Sequence, residues 1–406
     1  MYRRLANTFF AAALIVLGST SIAHAKPLKV FILCGQSNMQ GHAHVRTMKV
    51  IGMDEKTAPL LKDMQTADGE PVVLDDVWIS SIGSSPQERT GKLTAGYGAD
   101  AGGTKIGPEF TFGIYMHKLL DEPILIIKTA WGGKSINTDF RPPSAGPYEF
   151  NEKQLENFER QGKDLEQIKA DKAKATGHYY RQTIDHVKKV LGDIKRVYPD
   201  YDEKQGYELA GFVWFQGWND MVDGGTYANR GQPGSYDAYS EVLTHFIHDV
   251  RKDLDAPKLP FVIGVMGAGG PVAEYGPQKK RYAGIHQTFR DAMAAPAERD
   301  EFQGNVAAVL TEKYWDMPFE ALREREKKFK AKKDEITAQM KERKLTRDEG
   351  NAKIEKLYTN EFNDRELILL RESTSNAEYH YLGSAKTMAQ IGKGFAEAMH
   401  ELMENE

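Results

Sequence analysis

Ser37 is the residue best placed to act as a nucleophile. It lies in the run Val30-Phe31-Ile32-Leu33-Cys34-Gly35-Gln36-Ser37-Asn38-Met39-Gln40-Gly41. The apolar half reads as a buried strand. The break at Gly35 would present the next side chains at the carboxyl edge of a parallel sheet, where open α/β folds keep their ligand crevice. The same turn also reads as a plain helix N-cap, because Ser and Asn are favoured caps and Gly is a common turn residue. A serine that attacks an acyl carbon needs a base, a group to orient that base, and donors for the developing oxyanion. His380 is the candidate base, in Asn376-Ala377-Glu378-Tyr379-His380-Tyr381-Leu382-Gly383-Ser384 just before the last helical segment. Ala130-Trp131-Gly132-Gly133-Lys134-Ser135 offers the Gly132 or Gly133 N–H as a donor, and also reads as an ordinary Gly-Gly turn. Trp214-Phe215-Gln216-Gly217-Trp218-Asn219-Asp220 offers the Gln216 amide, whose commoner use is structural hydrogen bonding. The Ser37, Gly132-Gly133 and Gln216 turns each end a strand candidate, and that convergence says more than any one of them.

Positioning these turns requires strands and helices in alternation. Leu28–Leu33, Ile124–Lys128, Leu209–Phe215, Leu259–Val265 and Val306–Leu310 are short apolar runs with strand character. Helical spacing runs through Glu109–Leu120, Tyr179–Tyr198 and Tyr236–Leu254, with a final helix over about Ser384–Met403. This order predicts an α/β fold with a parallel sheet and helices on both faces. Two charged stretches interrupt it. Asn151–Lys174 has few large apolar residues, and Phe319–Tyr358 reads as a helical hairpin inserted at about 319–358, with Asp348-Glu349-Gly350 near or beyond its turn.

Composition narrows the partners. A formal charge of −4, with both signs interspersed, gives no footprint for nucleic acid or an anionic membrane. Cys34 is the single cysteine, so an intrachain disulfide and thiol-rich metal sites are excluded. At the start, Arg3-Arg4, an apolar segment to about Gly18 and Ala23-His24-Ala25 resemble a cleavable export signal over residues 1–25. An uncut anchor is the competing reading. The remaining 26–406 is expected to form one hydrolase-like domain, periplasmic or extracellular, without stable membrane insertion after signal removal.

Gly35-Gln36-Ser37-Asn38-Met39, Ile106-Gly107-Pro108-Glu109, Ala130-Trp131-Gly132-Gly133-Lys134-Ser135 and Trp214-Phe215-Gln216-Gly217-Trp218-Asn219-Asp220 occur in the order of the motifs of the sialate O-acetylesterase-like carbohydrate esterases. The chain resembles that group, which lies in the SGNH hydrolase superfamily and includes carbohydrate esterase family six. The resemblance implies a flavodoxin-like three-layer α/β/α fold and cofactor-free, metal-free removal of acetyl groups from a carbohydrate. It implies Ser37 as nucleophile and His380 as base, with the Ser37 N–H, a Gly132 or Gly133 N–H and Gln216 as oxyanion donors. Gln36, Asn38, Trp131 and Trp218 are expected at the substrate, with Tyr379 beside them, although the Trp and Tyr side chains of these turns read equally as packing residues. Two departures stand out. Trp218 replaces the usual Glu of the third motif, and Ala377 stands where an Asp would precede the histidine by three residues. Glu378 is then the first choice for the orienting acid and Asp220 the alternative, and a Ser-His dyad aided by a backbone carbonyl is the third option. A short-chain ester hydrolase with a non-sugar substrate and a noncatalytic carbohydrate-binding protein are the competing functions.

Overall fold

The strand β1, Leu28–Gly35, alternates its side chains between two cores, and the rest of the fold is arranged around that alternation. The computed structural model describes residues 26–405, so the expected export signal lies outside the described residues. Phe31 and Leu33 point to one side, where the helices Pro108–Leu120 and Ala385–Glu404 bury their apolar faces. Val30, Ile32 and Cys34 point to the other, against the helices His178–Gly192, Asp237–Asp253 and Ala283–Ala294. Each such large apolar side chain contributes roughly 1.5–3 kcal/mol on burial. The result is three layers, as the sequence pattern predicts.

In chain order the further strands are β2 (Ala43–His44), β3 (Val77–Ile82), β4 (Arg89–Lys92), β5 (Lys105–Ile106), β6 (Ile124–Ala130), β7 (Tyr207–Phe215), β8 (Phe261–Val265) and β9 (Val306–Leu310). Seven of them form one sheet in the order β4-β3-β6-β1-β7-β8-β9, while β2 and β5 pair separately. All pairs in the large sheet are parallel except β3 with β4. The chain builds outward from β1 first through β3 and β6, and then through β7, β8 and β9 on the opposite side. The carboxyl end of β1 is therefore a topological switch point, where the two directions of winding leave a crevice.

Several boundaries differ from the sequence reading. β3 and β4 lie outside every predicted run, because Ser80 and Ser81 interrupt the apolar pattern of β3 and the Arg89–Lys92 strand has no large apolar residue. The helix expected to reach Tyr198 stops at Gly192, and a separate 3₁₀ turn follows at Ile194–Arg196. The Phe319–Tyr358 hairpin is part of a longer helical arm, Met317–Lys327, Lys330–Lys341, Arg347–Thr359 and Asp364–Glu372. Its turn precedes Asp348-Glu349-Gly350. Thr346 caps the helix that contains those three residues, and Glu349 completes a capping box with it.

Candidate active site

Gly35 ends β1 where no side chain fits: a Cβ there would lie 2.1 Å from the Phe215 carbonyl oxygen. The Gln36 N–H donates to that same oxygen at 3.3 Å, so the ends of β1 and β7 are drawn together. Ser37 then opens the short helix Ser37–Gln40 at the switch point. Gln36 supplies no side-chain cap, which leaves the first N–H groups of that turn without the usual cap acceptor. Gly132 reaches the same place from the end of β6. A Cβ on Gly132 would stand 3.8 Å from the Ser37 Cβ and 3.0 Å from Gln40 Oε1. Its N–H finds no acceptor among the described residues, and both Gly132 and Gly133 are exposed. Below them, fully buried Lys128 donates to the Gln40 and Tyr97 carbonyls at 2.8 and 2.9 Å and to Glu109 Oε2 at 2.7 Å. Glu109 Oε1 accepts from the Gly107 N–H, so the Gly107-Pro108-Glu109 motif fixes the floor under the Ser37 helix.

His380 comes from the loop before the final helix, and two contacts bring that loop to the Ser37 helix. Asn38 Nδ2 donates to the Tyr379 carbonyl at 3.2 Å. The His380 ring stacks on that of His42, with centroids 3.9 Å apart and planes within 1° of parallel. The backbone beyond His380 is strained: Tyr381 and Leu382 both have left-handed φ, at 52° and 60°. Tyr381 anchors the strain, its ring fully buried and its hydroxyl accepting from the Gly267 N–H at 2.7 Å and lying 2.6 Å from Thr311 Oγ1. Burial pushes the His380 imidazole down to about 4. Burial and the neighbouring cationic groups push His42 to about 3. Both rings are therefore neutral at pH 7. Ser37 Oγ makes no hydrogen bond among the described residues, an open arrangement common before substrate tightens the nucleophile–base contact.

The acid candidates both lie elsewhere. Glu378 directs its carboxylate away from the imidazole, to Lys279 at 2.8 Å and Arg323 at 3.8 Å. Asp220 is buried and fully engaged: it accepts from the Ile136 and Asn137 N–H groups, Gln216 Nε2 and the Tyr227 hydroxyl. The group at His380 Nδ1 is instead Asn376 Oδ1, at 2.9 Å. Gln216 also differs from expectation. Its Nε2 lies 2.9 Å from the Lys134 carbonyl, 2.5 Å from Asp220 Oδ2 and 3.3 Å from Gln36 Oε1. An amide nitrogen has two protons to give, so this one is spent on holding the Lys134 turn to the end of β7.

The expected substrate residues divide into walls and faces. Gln36 and Asn38 are buried, with Gln36 Nε2 and Asn38 Oδ1 unpartnered. Trp218 is half-buried and packs 5.5 Å from Tyr379, which is 43% exposed and touches the His380 ring edge-on at 4.4 Å. Trp131 packs on Phe140 and Tyr179 and borders a groove with Gly83, Glu88 and His186. Asn376, His42 and Tyr381 carry no signal in the sequence pattern: Asn376 opens the very motif that carries His380, but as an amide it lacks the charge that marks an orienting acid.

A serine-bearing turn lies at the switch point of a three-layer, mostly parallel α/β sheet, with the loop that carries His380 packed beside it. The family model for carbohydrate esterases described as sialic acid-specific acetylesterases matches residues 27–300. The chain belongs to that family, and its enzyme class is that of the carbohydrate O-acetylesterases. Among solved structures it is similar to a protein from Arabidopsis thaliana, with 16% identity, a TM-score of 0.37, and coverage of 70% of this chain and 86% of that one. It is also similar to a carbohydrate acetylesterase from Xanthomonas citri, with 15% identity and a TM-score of 0.36, covering 69% of this chain and 49% of that one. No curated protein matches significantly in sequence. Among the described residues, no helix is long and apolar enough to cross a membrane.

Proposed function

We propose that this protein is an exported serine esterase that removes O-acetyl groups from a carbohydrate through an acyl-enzyme. Ser37 Oγ attacks the ester carbonyl carbon while His380 Nε2 takes the hydroxyl proton. The tetrahedral oxyanion is held by the Ser37 and Gly132 N–H groups. As the intermediate collapses, the C–O bond to the sugar breaks and His380 returns the proton to the leaving sugar oxygen. Water then attacks the acyl group with His380 again as base, and acetate leaves as the proton goes back to Ser37 Oγ. Trp218 and Tyr379 offer aromatic surface beside the base for the face of a sugar ring. The carrying observation is that the Asn38–Tyr379 bond and the His42–His380 stack seat the base loop on the nucleophile helix. Acetate release from an acetylated xylan or a chromogenic acetyl ester tests the reading, with Ser37→Ala and His380→Ala each expected to lose at least 10³-fold in kcat/KM. Equal rates in wild type and Ser37→Ala would leave a noncatalytic carbohydrate-binding protein.

A further inference from the structure

The imidazole of His380 needs a partner that fixes which nitrogen is basic, and neither Glu378 nor Asp220 reaches it. Asn376 does, and its amide orientation follows from the groups around it. The Ala377 N–H lies 2.7 Å from the Asn376 side-chain atom assigned as Oδ1, and a backbone N–H can only donate, so that atom is oxygen. The same oxygen is 2.9 Å from His380 Nδ1, which must then carry the proton. Nε2 is left with its lone pair, as a general base requires. On the other side of the amide, Asn376 Nδ2 is 3.5 Å from His42 Nδ1. An NH₂ group cannot accept, so His42 Nδ1 is unprotonated and its proton sits on Nε2, which is buried without a partner. The backbone keeps these groups together: Ser375 Oγ accepts from the His44 N–H at 3.1 Å and donates to the Gly383 carbonyl at 2.8 Å, with the His42 carbonyl 3.2 Å from the same hydroxyl.

We infer that Asn376, braced by the Ala377 N–H and the stacked ring of His42, is the positioning residue that sets the tautomer and orientation of His380, in place of a carboxylate. This rests on the esterase reading above. An uncharged partner orients the base without the extra attraction a carboxylate gives the imidazolium, and the parallel His42 ring limits rotation of His380 from its open face. The titratable and charged groups around the pair are His42 on the ring face, Tyr379 at its edge, Lys105 and Lys128 beyond His42, and Glu378 bound to Lys279.

The test compares Asn376→Ala, Asn376→Asp, His42→Ala and Glu378→Gln with wild type on a chromogenic acetyl ester across pH, with thermal melting as the check on folding. Asn376→Ala is expected to lose about 10²-fold or more in kcat/KM, out of the 10²–10⁴ a positioned base supplies. Asn376→Asp is expected to keep at least a tenth of the activity, because His42 can switch tautomer to donate to the new carboxylate. Its acid limb should move up by about one pH unit or more, since an opposite charge at this range shifts a titration by about 1–3 units. His42→Ala should lose about 10-fold, and Glu378→Gln should stay within about threefold. Long-range ¹⁵N spectra of the wild type, assigned with His380→Ala, should show His380 protonated at Nδ1. An Nε2-protonated His380, an unmoved acid limb in folded Asn376→Asp, or a collapse in Glu378→Gln with Asn376→Ala fully active would each overturn the inference. Loss of activity in Ser37→Ala alongside any of these would leave the esterase reading standing.

Discussion

Replacing Asp220 by Asn is the sharpest probe of how the Gly132 turn is held. The carboxylate takes four donors: Oδ2 accepts from the Ile136 N–H at 2.9 Å and Gln216 Nε2 at 2.5 Å, and Oδ1 from the Asn137 N–H and the Tyr227 hydroxyl, both at 3.1 Å. An Asn side chain keeps one oxygen and turns the other into a donor. The least costly orientation puts the NH₂ at the Oδ1 position, because the Tyr227 hydroxyl can reverse and accept. Only the Asn137 N–H bond is then lost outright, worth about 1.5–3 kcal/mol for a bond to a charged acceptor. Against that loss, burial pushes the Asp220 carboxyl up from 3.8 to about 6, so ionising it in the fold costs about 3 kcal/mol that Asn does not incur. That shift is already net of the hydrogen bonds to the charged oxygens, so at pH 7 Asp220→Asn should be at least as stable as wild type, by up to about 3 kcal/mol. The pH dependence tests this. A carboxyl whose folded pKa is raised contributes stability that is fully present below about pH 4 and is lost as pH rises through about 6. Urea unfolding at pH 4, 5, 6 and 7 should therefore show wild type losing about 3 kcal/mol relative to Asp220→Asn across that window. A constant difference between the two proteins would refute the assignment of Asp220 as a buried, desolvated anchor.

Other consequences are more direct. Lys128→Met leaves Glu109 buried without its cation, and urea unfolding should show a loss of about 3–5 kcal/mol. Gly132→Ala places a methyl 3.0 Å from Gln40 Oε1 and faces Ser37, so kcat/KM should fall about 10-fold or more while the melting temperature stays within a few degrees of wild type. Because burial holds His380 near 4, kcat/KM on a neutral acetyl ester should stay level down to about pH 5 and fall below it; a midpoint near 6.5 would show a solvated base.

How much of this was legible in the sequence depends on whether the signal was local. β9 matches its predicted span at both ends, and β1 and β6 run two residues past theirs, to Gly35 and Ala130, because a short run dominated by Val, Ile, Leu, Phe and Ala announces itself by composition. β3 is not legible, since Ser80 is buried against Glu88 and His186, partners that only the fold supplies. The turns around Ser37, Gly132 and Gln216 were found from their glycines and their place after strands. The role of Gln216 was not, because it depends on Asp220 and the Lys134 carbonyl reaching the same amide. Charge and nearness to His380 in sequence single out Glu378. Lys279 and Arg323, about 100 and 55 positions earlier in the chain, take that charge away.

The central claim is that Ser37 is a nucleophile activated by His380. Labelling with a fluorophosphonate, followed by peptide mapping, tests it most directly. A covalent adduct on Ser37 is expected in the wild type, blocked by an acetylated oligosaccharide and absent in folded His380→Ala. An unlabelled Ser37, or equal labelling with and without His380, would contradict it.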